Sequence, residues 1–375
     1  MNDKLGTIWE IEPHTEAKHE ILRYYLGAWF PILSTIHRRI LYVDGFAGPG
    51  EYSKGEDGSP IIALKVALDH KFKNKLTRPG MELVFLFIEK DEARCQNLKQ
   101  KIAKLQLPSN FRVETQCASF EEVFEEALSE IEEQNKRLAP SFVFIDPFGP
   151  TGFPMRLISR LAQQPRSEVL ITFNYQSLNE WFLQDPRKHK YLDELYESDW
   201  RPALQIPNTD QKERYLMEAY QKALEKLGWK GRPFRMVNKQ NQTQYYLFFA
   251  TTHWEGMLAM KGAMWRASPA GDFQYSDLSN PQQPCLFDLS RNEEYSQDLA
   301  SQLCKSHRGE TITKQVVSKN DLAWHPTCIE RHLTRALNIL EYELTPPKII
   351  EIKRVGDKKR RKHQYPNDCT ITFAP

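Results

Sequence analysis

The stretch ILYVDGFAGPGEY, residues 40–52, decides the fold of the N-terminal part of the chain. Four apolar residues lead into Asp44, and three glycines follow within the next six positions. An uninterrupted apolar run of this kind is typical of a strand covered on both faces, as in a parallel sheet. The glycines allow positive φ and remove Cβ atoms, so a ligand can approach the backbone at the carboxyl end of the strand. The candidate binding residues in this turn are Asp44, Gly45, Phe46, Gly48 and Gly50.

Strands and helices alternate five times from this stretch to residue 175, which predicts a parallel sheet with helices on both sides. Residues 234–253, FRMVNKQNQTQYYLFFATTH, form two apolar-rich runs around a polar turn and predict an antiparallel hairpin. A parallel sheet that closes with an antiparallel pair resembles the class I methyltransferase sheet. The predicted fold is therefore an α/β, doubly wound, Rossmann-like methyltransferase sheet.

The predicted domain organisation has two parts. Residues 1–268 form the methyltransferase-like domain, and residues 176–230 within it form a helical insertion. Residues 269–290 are rich in Ser, Pro, Asn and Gln without periodicity and are interpreted as a linker. Residues 291–375 show three helical segments and then two strands, which predicts a winged-helix-like domain.

The spacing D-x-F-x-G-x-G resembles motif I of nucleic-acid methyltransferases, which wraps the methionine part of S-adenosylmethionine. A dinucleotide-binding turn is disfavoured, because the sequence has no G-x-G-x-x-G that runs into a helix. Two alternatives remain: a tight turn that binds no ligand, and a turn that binds another nucleotide. Glu89 ends the second strand, where an acid can accept both ribose hydroxyls, or it is a solvated turn residue. Ser119 follows the third strand, where methyltransferases often place an Asp that contacts the adenine amino group.

Asp146, Pro147 and Phe148 close the fourth strand. Amino-methyltransferases carry a D/N-P-P-Y/F element here, whose acid and carbonyl hold the target amine while the ring stacks on a flipped base. This chain has one proline, and its aromatic residue comes one place earlier; the alternative is a loop exit with Phe148 packed inward. Lys18 on the first helix is a further catalytic candidate that can meet a cofactor carboxylate or a substrate phosphate, or it is solvated.

Residues 353–363, KRVGDKKRRKH, carry a local charge of +6, whereas the whole chain has +2. Such a basic hairpin tip suits contacts with nucleic-acid phosphates. Residues 325–338 would then be a recognition helix that turns two arginines toward a groove. A solvated wing or a protein-docking module remains the alternative. The candidate nucleic-acid-binding residues are Arg331, Arg335, Lys358, Lys359, Arg360 and Arg361.

Four blocks in order carry a resemblance to a known family: PHTEAKHEILRYYLGAW (13–29), YVDGFAGPG (42–50), FIDPFG (144–149) and YYLFFATTHWEGMLAMKGAMW (245–265). They resemble the three-Cys-motif partner proteins, TcmP. The resemblance implies a partner protein with a three-cysteine motif, similar to radical S-adenosylmethionine enzymes, and a role of the pair in modification or repair of nucleic acid, with DNA preferred over RNA. The chain lacks the three-cysteine motif itself, in agreement with being the partner.

Composition restricts the location and the metal content. No apolar run approaches ~20 residues and the N-terminus lacks a signal layout, so a cytoplasmic protein without a membrane segment is expected. The six cysteines are scattered without C-x-x-C spacing, which disfavours structural zinc. In a reducing compartment they are interpreted as small buried side chains.

Two functions stay open at this point. One is an S-adenosylmethionine-dependent methyltransferase that acts on DNA or RNA. The other is a binding module of the same fold that has lost methyl transfer and delivers nucleic acid to its partner, which the absent Asp near residue 119 and the altered spelling at 146–149 favour. A small-molecule methyltransferase is a third, weaker candidate.

Overall fold

The computed structural model describes residues 6–268, 273–277 and 287–375, which divide into two units. Residues 6–252 and 275–277 belong to the first unit, and 253–268, 273–274 and 287–375 belong to the second. The helix after the last hairpin strand thus groups with the second unit, although the sequence suggested a boundary at 268. Most of the expected linker, 269–272 and 278–286, lies outside the described residues. No described helix is both long and apolar enough to cross a membrane.

The helices and strands follow one another along the chain in this order: α1 Pro13–Ile36, β1 Arg39–Asp44, α2 Ser59–Leu68, α3 Lys73–Leu76, β2 Glu82–Ile88, α4 Glu92–Ala103, β3 Phe111–Gln116, α5 Phe120–Glu133, β4 Ser141–Ile145, α6 Met155–Ala162, β5 Ser167–Phe173, α7 Tyr175–Ser177, α8 His189–Leu195, α9 Thr209–Lys226, β6 Lys230–Val237, β7 Thr243–Thr251, α10 Trp254–Ala267, β8 Gln274–Ser276, α11 Phe287–Ser306, β9 Thr311–Thr313, α12 Lys314–Val317, α13 Glu330–Asn338, β10 Ile349–Arg354 and β11 Cys369–Phe373. Three π-helical segments continue α7, α12 and α13 at Leu178–Phe182, Ser318–Leu322 and Ile339–Glu343.

The central sheet has the strand order β3-β2-β1-β4-β5-β7-β6-β8. Strands β1 to β5 pair in parallel, with Asp44 beside Phe87 of β2 and Phe144 of β4. Strand β7 enters antiparallel between β5 and β6, as the hairpin signal predicted. The predicted methyltransferase-like α/β fold, with parallel strands first and an antiparallel closing strand, is confirmed.

Helices cover both faces of this sheet, which explains why the strands are apolar throughout. One face carries Val43, Val143 and Ile171, which belong to a core shared with α5, α6, α8 and α9. The opposite face carries aromatic rings, and Phe142 packs against Tyr25 of α1 at a centroid distance of 4.8 Å.

A buried carboxylate holds α1 against the sheet. Glu168, in β5, accepts hydrogen bonds from the Tyr25 hydroxyl (2.6 Å), the Trp29 indole (3.0 Å) and the Thr251 hydroxyl (2.6 Å). A buried charge is tolerated only when several donors satisfy it. The first helix is therefore fixed over the sheet, and its N-terminal turns lie at the edge where the parallel strands end.

Two cysteines differ from the expectation that all six are free thiols. Cys95 of α4 and Cys117, just after β3, form a disulfide with Cα atoms 5.6 Å apart, so the expectation is wrong for this pair. The pairing was not visible in the sequence because the two residues approach only when β2 and β3 lie side by side. Among the described residues, Cys304 and Cys369 are free thiols and Cys328 is buried, while Cys285 lies outside the described residues. The cytoplasmic location stays a prediction.

The second unit places helices beside a small antiparallel sheet with the order β10-β11-β9. Its core contains Leu299 and Leu303 of α11, Leu333 and Leu337 of α13, and Phe373 of β11. The strand β9 was not expected from the sequence, because three residues are too few to show a periodic pattern.

Candidate functional site

The candidate site lies at the carboxyl edge of the parallel strands. Asp44 ends β1, Glu89 follows β2 and Asp146 follows β4. Because β1 pairs with both β2 and β4 in parallel, these three acids reach the same edge of the sheet. Open α/β sheets bind their ligands outside this edge.

The glycine turn after β1 has the backbone that its sequence predicts. Gly48 and Gly50 adopt φ values of +64° and +81°. A Cβ on Gly48 would meet nothing within 4 Å, whereas a Cβ on Gly50 would lie 2.8 Å from Leu98 Cδ1. Gly48 is thus required for its conformation and leaves the turn open, while Gly50 is also required for packing against α4.

Asp44 is completely buried at the start of this turn. Its Oδ1 accepts a hydrogen bond from the Phe46 amide at 3.3 Å, whereas its Oδ2 has no hydrogen-bond partner among the described residues. Burial raises the pKa of Asp44 to about 7, although the nearby Ser59 hydroxyl and the Phe46 amide oppose the shift. The Asp44 carboxyl is therefore partly protonated near physiological pH, where an ordinary aspartate is ionised.

Glu89 connects the second strand to the glycine turn. Its Oε2 accepts from the Gly48 amide and its Oε1 from the Asp91 amide, each at 2.8 Å. Burial raises the pKa of Glu89, although these amides and the nearby Arg94 oppose the shift. Each carboxylate oxygen has a second acceptor site, so the group can still receive hydroxyl donors.

The first cavity beside the turn has a volume of about 1130 Å³ and extends along the sheet edge. Gly45, Phe46 and Glu89 line it, together with Ser119 after β3. Such a volume is somewhat larger than the ~300–1000 Å³ that small-molecule sites usually enclose. The cavity is not filled by the protein's own side chains and brings together six residues that the sequence singled out, these four with Pro147 and Phe148.

Ser119 already has a structural role there. It is the N-cap of α5 and forms a reciprocal capping box with Glu122, whose carboxylate receives the Ser119 hydroxyl at 2.6 Å. Such boxes satisfy two free donors at the start of a helix. The adenine contact expected of Ser119 stays a prediction.

The second cavity, about 210 Å³, lies between α1 and the other side of the glycine turn. Gly48 and Gly50 line it, with Lys18 and Asp146. The residues common to both cavities are Phe46, Pro147 and Phe148. Both cavities therefore border Phe46 and the short segment after β4.

Lys18 and Asp146, 128 residues apart, form an ion pair in the wall of the second cavity. The Lys18 ammonium contacts both carboxylate oxygens, at 2.7 and 2.6 Å, and lies 5.2 Å from the centre of the Tyr245 ring. Lys18 is 5% exposed, and the side chain of Asp146 is 21% exposed. Burial and the neighbouring Lys18 charge lower the pKa of His19 to about 3, so its imidazole is neutral.

Several polar residues of the second cavity were missed by sequence reasoning. Thr172 of β5 lines the cavity, and its buried hydroxyl has no hydrogen-bond partner in the part of the chain that the structure describes. Asn174, Gln244 and Tyr52 line it as well. Thr172 and Asn174 could have been found by asking which polar residues end β5, since that strand ends at the same edge as β1 and β4.

Phe148 is not packed inward, which was the alternative interpretation of the segment after β4. Its side chain is 49% exposed, and its ring lies 5.6 Å from that of Trp9. The Arg94 guanidinium lies 4.9 Å from the Trp9 ring and 5.5 Å from the Phe148 ring. The Phe148 ring thus contacts Trp9 and Arg94, lines both cavities and remains half exposed.

The basic residues of the second unit divide into paired and exposed groups. Arg335 donates to Glu293 and Glu343, so two carboxylates already hold its guanidinium, and its contact with a groove stays a prediction. Arg360 similarly pairs with Glu341. Arg331 is exposed and its guanidinium lies 4.6 Å from the Trp265 ring. The remaining three candidates are exposed: Lys358, Lys359 and Arg361.

No group of three or more His, Cys, Asp or Glu residues that could hold a metal ion occurs among the described residues.

Comparisons with known proteins give distant likenesses. No family model and no curated protein matches the chain. An O-methyltransferase from Bacillus cereus, solved in complex with SAH, is 12% identical with a TM-score of 0.33, over 64% of this chain and 82% of that one. A protein of Legionella pneumophila, LPL1258, is 12% identical with a TM-score of 0.34, over 62% and 85%. A protein of Escherichia coli described as a methyltransferase, yhhF, is 15% identical with a TM-score of 0.30, over 62% and 86%.

At these scores the likenesses add nothing to the assignment of the fold, which rests on the strand order and on the antiparallel β7. The first unit is a methyltransferase-like α/β domain.

Proposed function

We propose that the first unit binds S-adenosylmethionine at the glycine turn and presents its methyl group to an acceptor beside Asp146. The observation that carries the proposal is the contact between the glycine turn and Glu89. The Gly48 amide donates a hydrogen bond to the Glu89 carboxylate, and Gly45, Phe46 and Glu89 line the same large cavity. The cofactor, when bound, supplies an activated methyl group on a sulfonium.

The residues present fit such a cofactor. Glu89 has acceptor sites for ribose hydroxyls beyond the two amides that it already receives. Gly48 leaves open space for the methionyl part, and the Asp44 Oδ2 adds a negative potential behind the turn when ionised. Since the sulfonium is intrinsically reactive, the protein mainly needs to align donor and acceptor.

Asp146 and the Pro147 carbonyl are the acceptors proposed for an amino group, with the free face of Phe148 available for stacking against a base. Lys18 would hold Asp146 in place and balance its charge. The acceptor proposed is a base of nucleic acid, with DNA preferred. A role for the chain as a three-Cys-motif partner in DNA modification or repair rests on the four sequence blocks.

The second unit is proposed to be a winged helix that contacts phosphates. The support is the order of its helices and strands and the exposure of three basic residues in the β10–β11 loop. Changing Lys358, Lys359 and Arg361 to Glu should weaken DNA binding and flatten its salt dependence. Arg360 is left unchanged, because its pairing with Glu341 makes it part of the unit's own structure. Unchanged binding would remove this role.

A non-catalytic binding module is the second candidate, and one contact favours it. The Lys18 ammonium occupies both oxygens of Asp146, where an acceptor amine would otherwise be held. In such a module the ion pair would be a fixed structural element, and nucleic acid would be delivered to the three-cysteine protein without methyl transfer.

Calorimetric titration with S-adenosylmethionine and S-adenosylhomocysteine tests cofactor binding. We expect binding to wild type, and a loss of at least ~10-fold in Glu89→Gln, because a hydrogen-bonded charge contributes about 1.5–3 kcal/mol. The matched control is Glu92→Gln in the exposed first turn of α4. Absence of binding to wild type would refute the cofactor site. Methyl transfer to mixed nucleic acids then separates the enzyme from the module.

A further inference from the structure

Two large aromatic side chains lie exposed in the wall of the first cavity. Trp181 is 46% exposed and Phe148 is 49% exposed, and both line the cavity. Trp181 lies in the π-helical segment after α7, so it comes from the helical insertion, whereas Phe148 follows β4. Exposed aromatic rings in the wall of one cleft are typical of a binding surface.

A cation accompanies Trp181. The Lys188 ammonium lies 5.9 Å from the centre of the Trp181 ring and 5.1 Å from that of Phe182, and all three residues line the cavity. Within the described part of the chain, Lys188 has no carboxylate within salt-bridge distance. The ammonium is therefore available to an anion from outside.

The acids of the same wall are already bonded within the protein. Glu121 and Glu125 pair with Arg156, and Glu122 accepts from Ser119. The cations Lys90 and Lys188 have no such partner among the described residues. The lining as a whole carries five acids and four bases, so the attraction for an anion is local to the Lys188 side of the cavity.

The cavity also has more room than a small ligand needs. Its volume of about 1130 Å³ exceeds the usual ~300–1000 Å³ of small-molecule sites. The glycine turn and Glu89 occupy one part of the wall, while Trp181 and Lys188 come from a different element, the segment between β5 and α9. A second ligand group can lie beside the one at the turn.

We propose that Trp181 and Lys188 bind an unpaired nucleotide of a single-stranded nucleic acid, with the base stacked on the indole and the phosphate beside the ammonium. This nucleotide site extends the proposed function. It rests on that function only for the position of the nucleic-acid strand, which would lie beside the segment Asp146–Phe148. Stacking on exposed aromatic rings with cations beside the backbone is how proteins bind single strands without reading sequence. Paired bases hide their faces in the stack, so a duplex would not use such a surface.

The experiment measures fluorescence anisotropy of a labelled 12-mer of thymidylate, single-stranded and as a duplex with its complement, without cofactor. Every variant carries Lys358→Glu, Lys359→Glu and Arg361→Glu, so that the second unit contributes little. We expect Trp181→Ala to weaken single-strand binding about 10-fold. Lys188→Glu should weaken it and lower the salt slope by about 0.7, the share of one phosphate.

Trp181→Phe keeps an aromatic face and should retain binding within about 3-fold of the parent, which separates stacking from damage to the fold. The matched control is Lys222→Glu on the exposed surface of α9, which should bind as the parent does.

Failure of the parent to bind the single strand, equal binding in Trp181→Ala, or equal losses for strand and duplex would each overturn the proposal. Binding of the strand in a protein that fails to bind S-adenosylmethionine would support this inference and refute only the cofactor site. Binding of S-adenosylmethionine, together with unchanged single-strand binding in Trp181→Ala, would support the cofactor site and refute this inference.

Discussion

Replacing Asp44 by asparagine should stabilise the protein more at pH 8 than at pH 5. Burial raises the pKa of Asp44 from 3.8 to about 7. Between these values the folded protein keeps a proton that the unfolded chain has lost, so folding becomes less favourable as the pH rises through this interval. The destabilisation is absent below about pH 4 and complete above about pH 7.

The magnitude follows from the size of the shift. One pKa unit corresponds to about 1.4 kcal/mol, so the ionised carboxyl costs about 4 kcal/mol of unfolding free energy above pH 7. At pH 5 part of that cost is already present, and about 3 kcal/mol is added between pH 5 and pH 8. Asparagine stays neutral and keeps an oxygen that can accept from the Phe46 amide.

Urea unfolding of wild type and Asp44→Asn, followed at pH 5, 6, 7 and 8, measures the difference in unfolding free energy at each pH. Subtracting the wild-type unfolding free energy from that of Asp44→Asn at each pH cancels the contribution of the other titrating groups. The gap should grow in favour of Asp44→Asn by about 3 kcal/mol from pH 5 to pH 8. In the control Asp69→Asn, an exposed position after α2, it should stay within about 0.5 kcal/mol. A constant or shrinking gap for Asp44→Asn would refute the assignment of a buried, proton-binding carboxyl.

Three further perturbations test contacts of the first unit. Lys18→Met should lower the unfolding free energy by about 2–3 kcal/mol, because it leaves the Asp146 carboxylate unpaired. Adding Asp146→Asn should restore part of that loss. Additive effects in this double-mutant cycle would argue against the ion pair. Reducing the Cys95–Cys117 disulfide, which has a sequence separation of 22, should cost about 3 kcal/mol in urea unfolding, and the Cys95→Ser/Cys117→Ser protein should not respond to reductant. Gly50→Ala should lower the thermal midpoint more than Gly48→Ala, since both have positive φ but only the former brings Cβ within 2.8 Å of another side chain; equal shifts would contradict this.

The residues of the glycine turn were predictable because their evidence is local. An apolar run, then Asp44, then glycines at fixed spacing, is enough to predict a buried strand and a turn of positive φ. The same logic placed Glu89 and Asp146 at the ends of their strands. Parallel pairing then brings all three to one edge without further information.

The pairing of charges was not predictable from local evidence. Lys18 had two open interpretations, and the structure places it on Asp146, 128 residues away. Arg335 has the right position on its helix for a groove contact, but carboxylates from two other segments reach it first. Which opposite charge a side chain meets depends on how helices pack, and a one-dimensional pattern does not contain that distance.

The sequence by itself determined the five alternating strands and helices, their parallel pairing and the antiparallel ending, since apolar period and turn residues act over a few positions. Only the tertiary structure decided that Cys95 meets Cys117, that Phe148 keeps an exposed face, and that Trp181 and Lys188 share a cavity with Glu89. The physical reason is that backbone conformation follows from local sterics and hydrogen bonding, whereas contacts between distant side chains follow from the packing of whole layers.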